Sequence, residues 1–185
     1  MTDFALSTLD ALKAFPQDYP TDRRTFFSPI DDVHGALLAV VQSATRSLTI
    51  AMYGYDDDDL HAIVVEKMTD PNITVQITLD SSQAGGVHER GLIAAWIDPD
   101  KATPRTSIVS VGRSERGAIQ HMKAVVVYGI VTVTGSTNWS DGGETKQDNQ
   151  CTIAVNRAEA FELQHRMDAI HLDQLQKAAA KAARA

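Results

Sequence analysis

Two β-branched runs, Val125-Val126-Val127 and Val131-Thr132-Val133, stand on either side of Tyr128-Gly129. Apolar runs of this length broken by a short glycine-containing pair predict two antiparallel strands joined by a tight turn. The polar residues flanking that hairpin constrain the chain further. His121 and Lys123 precede it and Gly135, Ser136 and Asn138 follow it. Side chains alternate faces along extended backbone, so His121 and Lys123 share a side, as do Ser136 and Asn138. The hairpin returns both pairs toward one end. An imidazole, an ammonium, a hydroxyl and a carboxamide gathered in this way suit a phosphoryl centre, with one nucleophile or base, one cation and two neutral hydrogen-bonding groups.

At these positions the chain resembles the phospholipase D superfamily, whose signature runs H-x-K, four residues, D, six residues, G-S-x-N. His121, Lys123, Gly135, Ser136 and Asn138 fall at that spacing. Upstream, Phe26-Phe27-Ser28-Pro29 and Ser47-Leu48-Thr49-Ile50-Ala51-Met52-Tyr53 are similar to the opening of small single-motif bacterial endonucleases of the same superfamily. The resemblance spans residues 25–160 and sets 1–24 apart as an N-terminal helix and linker ahead of a catalytic domain over 25–185.

The resemblance implies a layered α/β/α sandwich with a mixed central sheet. It also implies a metal-independent phosphodiesterase, in first place an endonuclease acting on DNA or RNA without a cofactor. One motif per chain implies a homodimer, because two histidines must meet across a two-fold axis. One His121 would form a phosphohistidine, and its mate would act as acid and then base. Lys123, Asn138 and Ser136 would hold the phosphate. Two other readings share the motif: a phosphodiesterase that cleaves phospholipid, and a catalytically weak protein that binds phosphate or nucleic acid.

The chain departs from the family pattern twice. Tyr128 stands where the family has aspartate. The glutamate that orients the catalytic histidine in small family nucleases falls on Asn149, next to Asp148. A carboxamide can fix an imidazole tautomer but brings no charge to an imidazolium. Asn149, or Asp148 after a register shift, is therefore the expected orienting residue.

Composition narrows the remaining classes. A chain of 185 residues, 43% hydrophobic and 22% charged, fits one globular domain. No stretch has the length of an apolar span, no basic region leads an apolar N-terminus, and the expectation is a cytoplasmic protein without a membrane anchor. The single cysteine, Cys151, lies in the apolar run Cys151-Thr152-Ile153-Ala154-Val155, which reads as a buried strand thiol and rules out a disulfide framework. The net charge of −7 is unusual for a protein that grips a phosphate backbone. Arg105, Arg113 and Arg116, close in sequence to Lys123, form a candidate local cationic lip.

Periodicity supplies the rest. Phe4, Leu6, Leu9, Leu12 and Phe15 predict a short amphipathic helix, followed by a linker marked by Pro16 and Pro20. Ser28-Pro29 is expected to cap a helix carrying Val33, Leu37, Val40, Val41 and Ala44. Strands are expected at 47–54, 73–79, 107–111 and 151–155, and helices after Asp56, over 88–97 and from Arg157 onward. Asp56-Asp57-Asp58-Asp59 lacks calcium-loop spacing and reads as helix capping. His61, His88, His165 and His171 read as surface or packing residues, Trp139 reads as core cover, and no metal ligand is assigned.

Overall fold

The computed structural model describes residues 4–97 and 106–184. Among the described residues nine strands and five α-helices follow one another: β1 (Arg23–Ser28), α1 (Val33–Gln42), β2 (Ser47–Met52), β3 (Tyr55–Asp56), α2 (Asp58–Thr69), β4 (Thr74–Asp80), α3 (Val87–Ile97), β5 (Ser107–Gly112), β6 (Lys123–Val127), β7 (Val131–Gly135), β8 (Trp139–Ser140), α4 (Asp141–Thr145), β9 (Asn149–Val155) and α5 (Arg157–Ala182). Seven strands form one sheet in the order β1-β9-β7-β6-β2-β4-β5. β2, β4 and β5 run parallel, and the remaining neighbours pair antiparallel, so the sheet is mixed. β3 and β8 form a separate two-residue parallel ladder.

Helices cover both faces, which is why β6 reads as an unbroken apolar run and does not alternate with polar residues. Val125 and Val127 join Leu48, Ile50 and Met52 in the main core under α1 and α2. Their alternates Ala124 and Val126 join Ala51 on the opposite face, beneath Ala160 and Met167 of α5. The layers are thus α/β/α, as the sequence resemblance implies. Cys151 is buried, and desolvation pushes its thiol up to about 12, so it packs as an apolar side chain. Among the described residues no helix is long and apolar enough to cross a membrane.

Two local expectations change. Residues Leu6–Ala11 form a 3-10 helix and not an α-helix. The Thr8 hydroxyl competes for the backbone there, donating to Ala5 O at 2.7 Å, while the Asp10 carboxylate pairs with Arg24. Leu9 is nevertheless fully buried against the sheet domain, and the family boundary at residue 25 falls inside β1. Ser28 does not cap α1. It ends β1, and its hydroxyl donates to Gly143 O and Gln147 O. The cap is Asp32, whose carboxylate accepts from Gly35 N at 2.8 Å.

The β6–β7 turn explains the first departure from the family signature. Tyr128 and Gly129 both take positive φ, 57° and 64°. The Tyr128 hydroxyl reaches the end of α1, accepting from Thr45 N at 2.8 Å and donating to Ser43 O. Tyr128 therefore ties the hairpin to the α1–β2 connection. Tyr128→Phe should lower stability by about 1–2 kcal/mol in urea unfolding, since it leaves the Ser43 carbonyl and the Thr45 amide without this partner. It should leave the distant His121 region unchanged in an amide NMR spectrum.

Candidate active site

The residues of the signature meet around Tyr53-Gly54, where the chain leaves β2. The His121 ring lies 4.5 Å from the Tyr53 ring, centroid to centroid. Lys123 Nζ sits 4.8 Å from the centroid of that same ring. Asn138 Oδ1 accepts from Gly54 N at 3.1 Å, and Trp139 N donates to Gly54 O at 2.9 Å. A Cβ on Gly54 would lie 3.0 Å from the Asn138 carboxamide carbon, so glycine lets the two segments close on each other. The β3–β8 ladder continues this contact, with Tyr55 opposite Trp139. Trp139 is buried against Tyr55 and covers the core.

His121 precedes β6 and is exposed, whereas Lys123 opens the strand and is buried. Lys123 lines a small cavity together with Leu37, Met52 and Val125. Its ammonium donates to His121 O at 2.9 Å, and desolvation lowers its pKa to about 8. The approach to His121 is pinned from below by Asp80, a fully buried carboxylate at the end of β4. Asp80 accepts from Gln120 N at 2.6 Å and from Ser82 N at 2.8 Å, and Gln120 Oε1 in turn accepts from Met122 N at 3.1 Å. Burial opposes charge on Asp80, but the bonds from Ser82 and Gln120, with Arg113 nearby, outweigh it and hold the carboxyl below its ordinary range.

Ser136 and Asn149 form their own link. Ser136 Oγ donates to Asn149 Oδ1 at 2.8 Å and accepts from Gln150 N at 3.1 Å. The Asn149 amide donates to Gly143 O at 3.0 Å. A carboxamide carries both a donor and an acceptor, and here the acceptor takes Ser136, between β7 and β8, while the donor takes Gly143 of α4. Asp148 is exposed, and among the described residues no hydrogen bond reaches the imidazole of His121 from either candidate. The structure thus brings His121, Lys123 and Asn138 to one place, and it sets Ser136 beside Asn149, whose carboxamide bonds to Ser136 and Gly143 within the chain.

A cleft of about 610 Å³ opens beside Asn138, lined by Tyr53, Tyr55, Asp56, Gln83 and Glu89 among others. Burial raises the pKa of Glu89, which sits on α3 facing this cleft. Arg113 and Arg116 are exposed in the β5–β6 loop, while Arg105 lies outside the described residues. Sequence reasoning had singled out neither Tyr53 nor Asp80. Tyr53 closes a recognisable strand segment, but nothing in its spacing from His121 signals a contact across 68 positions.

Of the other histidines, His165 is exposed on α5, and His34, His61, His88 and His171 have partners. His171 is buried between Thr78 and Ser110, and burial lowers its pKa. His88 has partners that its sequence spacing did not reveal: it bridges Asp56 and Asp58 at 2.9 and 2.7 Å, joining α3 to the start of α2. The aspartate run caps α2, with Asp57 Oδ1 accepting from Leu60 N at 2.6 Å. His34, which spacing left unremarked, donates or accepts at Glu144 Oε2 over 2.7 Å. Burial works against charge on His34, but Glu144, Asp57 and Asp59 outweigh it and raise its pKa. Burial also pushes Glu144 up to about 7 against the opposing effect of His34.

Comparison with known proteins bears on the fold and the family. Residues 37–171 match the family described as cardiolipin synthase, PLD-like domain. A mitochondrial cardiolipin hydrolase from Chlamydomonas reinhardtii is 29% identical over 111 residues, covering 60% of this chain and 45% of that protein. This chain therefore spans less than half the length of that relative. Among solved structures, Nuc from Salmonella typhimurium, a phospholipase D family member, superposes with a TM-score of 0.64 at 23% identity, covering 82% of this chain and 94% of Nuc. NucT from Helicobacter pylori superposes with a TM-score of 0.68 at 18% identity, covering 82% and 96%. With the family match running from α1 into α5 and the motif residues gathered at Tyr53-Gly54, the chain belongs to the PLD-like domain family, within a superfamily of phosphodiesterases.

Proposed function

We propose that the protein is a metal-independent phosphodiesterase, in first place an endonuclease, working as a homodimer. The observation that carries this reading is the convergence of His121, Lys123 and Asn138 on Tyr53-Gly54. Two chains related by a two-fold axis bring two His121 rings to one phosphate. A nitrogen of one His121 attacks phosphorus, and a P–N bond forms as the P–O bond to the leaving group breaks. The partner chain's imidazolium gives its proton to the leaving oxygen. That same imidazole then takes a proton from water as the water oxygen attacks phosphorus and the P–N bond breaks. Lys123 and Asn138 from both chains hold the non-bridging oxygens and meet the negative charge that grows on them. The ammonium of Lys123 acts from a desolvated position, where it is worth more than in water.

Purified protein incubated with plasmid, DNA and RNA oligonucleotides, and cardiolipin vesicles in EDTA tests this reading. Cleavage of nucleic acid should persist without divalent ions, be lost in His121→Ala, and sediment with a species of about twice the 20.1 kDa chain mass. A strict monomer with full activity would rule out the shared site. Cleavage confined to vesicles would favour the phospholipid reading, for which the similarity to a cardiolipin hydrolase is the supporting observation. Binding without cleavage would favour the catalytically weak reading, which the commitment of Asn149 to Ser136 supports.

A further inference from the structure

A second cluster of chemically capable side chains lies at the junction of α1, α2 and α4, built from residues far apart in the sequence. His34 is in the first turn of α1, Asp57 caps α2, and Glu144 lies in α4. One ligand atom from each of the three lies within 4.8 Å of the others. His34 Nδ1 is 2.7 Å from Glu144 Oε2 and 3.2 Å from Asp57 Oδ2, while His34 Nε2 is 3.4 Å from Asp59 Oδ2. Three carboxylates thus face one imidazole, and the ion pairs they make among the described residues are all with that ring.

The Glu144 carboxylate is the decisive observation. Its side chain is 1% exposed, and Oε1 makes no hydrogen bond of ordinary length among the described residues, although the Ser140 backbone nearby favours the charged carboxylate. A buried carboxylate oxygen left unpaired is destabilising unless something absent from the protein satisfies it. Asp57 divides its two oxygens in a way that fits the same conclusion, since Oδ1 caps α2 and Oδ2 turns toward His34. An opening of about 280 Å³, lined by Asp32, His34 and Glu144 among others, gives access from solvent.

We propose that His34, Asp57 and Glu144 form a divalent-cation site, with Asp59 as a further oxygen donor, that clamps α4 to α1 and α2. One imidazole with carboxylates suits a first-row transition ion such as Zn²⁺ better than Ca²⁺, which takes six to eight oxygens. Entry of the ion displaces the proton shared by His34 and Glu144, and the two ligand atoms open from hydrogen-bond distance to ligand spacing around the metal. The ion takes no part in phosphoryl chemistry, and the inference stands independently of the phosphodiesterase reading. Its structural reach extends toward that site all the same. Gly143, next to Glu144, accepts from Ser28 Oγ and from Asn149 Nδ2, and Asn149 holds Ser136.

The test is thermal unfolding of EDTA-dialysed full-length protein during titration with Zn²⁺, paired with calorimetric stoichiometry. One equivalent should bind per chain, and at free Zn²⁺ about 100-fold above Kd the Tm should rise by about 5–10 °C. Glu144→Gln keeps the shape and should abolish the shift, as should His34→Gln, while His165→Ala, at an exposed position on α5, should keep it. If Glu144→Gln fails to fold, His34→Gln and Asp57→Asn supply the same readout. A full Zn²⁺ shift in His34→Gln or Asp57→Asn, or no stoichiometric binding by the wild type, would overturn the proposal.

Discussion

Lys123→Met should cost cleavage on the order of 10³-fold in kcat and at the same time raise the melting temperature. The two effects share one cause. Lys123 is only 6% exposed, and desolvation holds its pKa near 8, below the ordinary 10.5. In the proposed chemistry its ammonium meets charge on the non-bridging oxygens, where loss of one preorganised donor typically removes two to three powers of ten. For folding, the sign is the opposite. Below pH 8 both folded and unfolded chains carry the proton, and holding it in the desolvated site opposes folding. Between about 8 and 10.5 the unfolded chain binds more protons, so this group makes stability rise with pH. The penalty at neutral pH is on the order of 3 kcal/mol. Loss of the bond to His121 O offsets about 1 kcal/mol of it. A net Tm gain of several degrees is expected, because methionine lines the same small cavity with Leu37, Met52 and Val125. Wild-type activity should fall along an alkaline limb with an apparent pKa near 8, read from kcat against pH. A Lys123→Met protein that is less stable than wild type at pH 7 would contradict this account.

Gly135→Ala should be the most damaging of the single-methyl changes in the motif. A Cβ at Gly135 would lie 1.9 Å from Gln150 O, and backbone cannot retreat as a flexible side chain would. Gly135 pairs with Cys151 across β7 and β9, and the next residue's amide donates to Gln150 O at 3.0 Å. Added volume there must push the two strands apart and break the Ser136 contacts to Gln150 and Asn149. A loss of about 3–5 kcal/mol is expected, or roughly 10 °C in Tm, with cleavage reduced even well below the melting transition. Denaturant unfolding with a parallel activity assay at low temperature measures both. Unchanged stability would mean that the strands separate more easily than their pairing indicates.

The parts of this molecule that were legible in the sequence are those encoded by local pattern. The β6–β7 hairpin, the long α5 and the capping role of Asp57 each follow from a few adjacent residues. The hairpin returns the motif to one end of the sheet, but only Lys123 of its polar residues lies in a strand, and Asn138 is brought in beyond β7 by its bond from Gly54. What local pattern concealed was made by tertiary pairing. Ser28 looked like a helix cap, but it is drawn into the loop after α4 because two carbonyls there need a donor. Asn149 aligns with an orienting acid, yet its carboxamide satisfies Ser136 and Gly143. His34 and Glu144 are 110 positions apart, and no periodicity connects them.

The separation in sequence of the groups that meet at Tyr53-Gly54 has a kinetic consequence. Tyr53 finds His121, Gly54 finds Asn138, and Ser28 finds Gly143 only after long loops have closed. Loop closure must be met before such contacts reward the chain, so topologies of this kind form late. The Ser136 loop next to Asn138 is braced by Asn149 and Gln150, so it also depends on the pairing of β9 with β7. The motif is therefore assembled by long-range pairing, and its geometry belongs to the completed sheet.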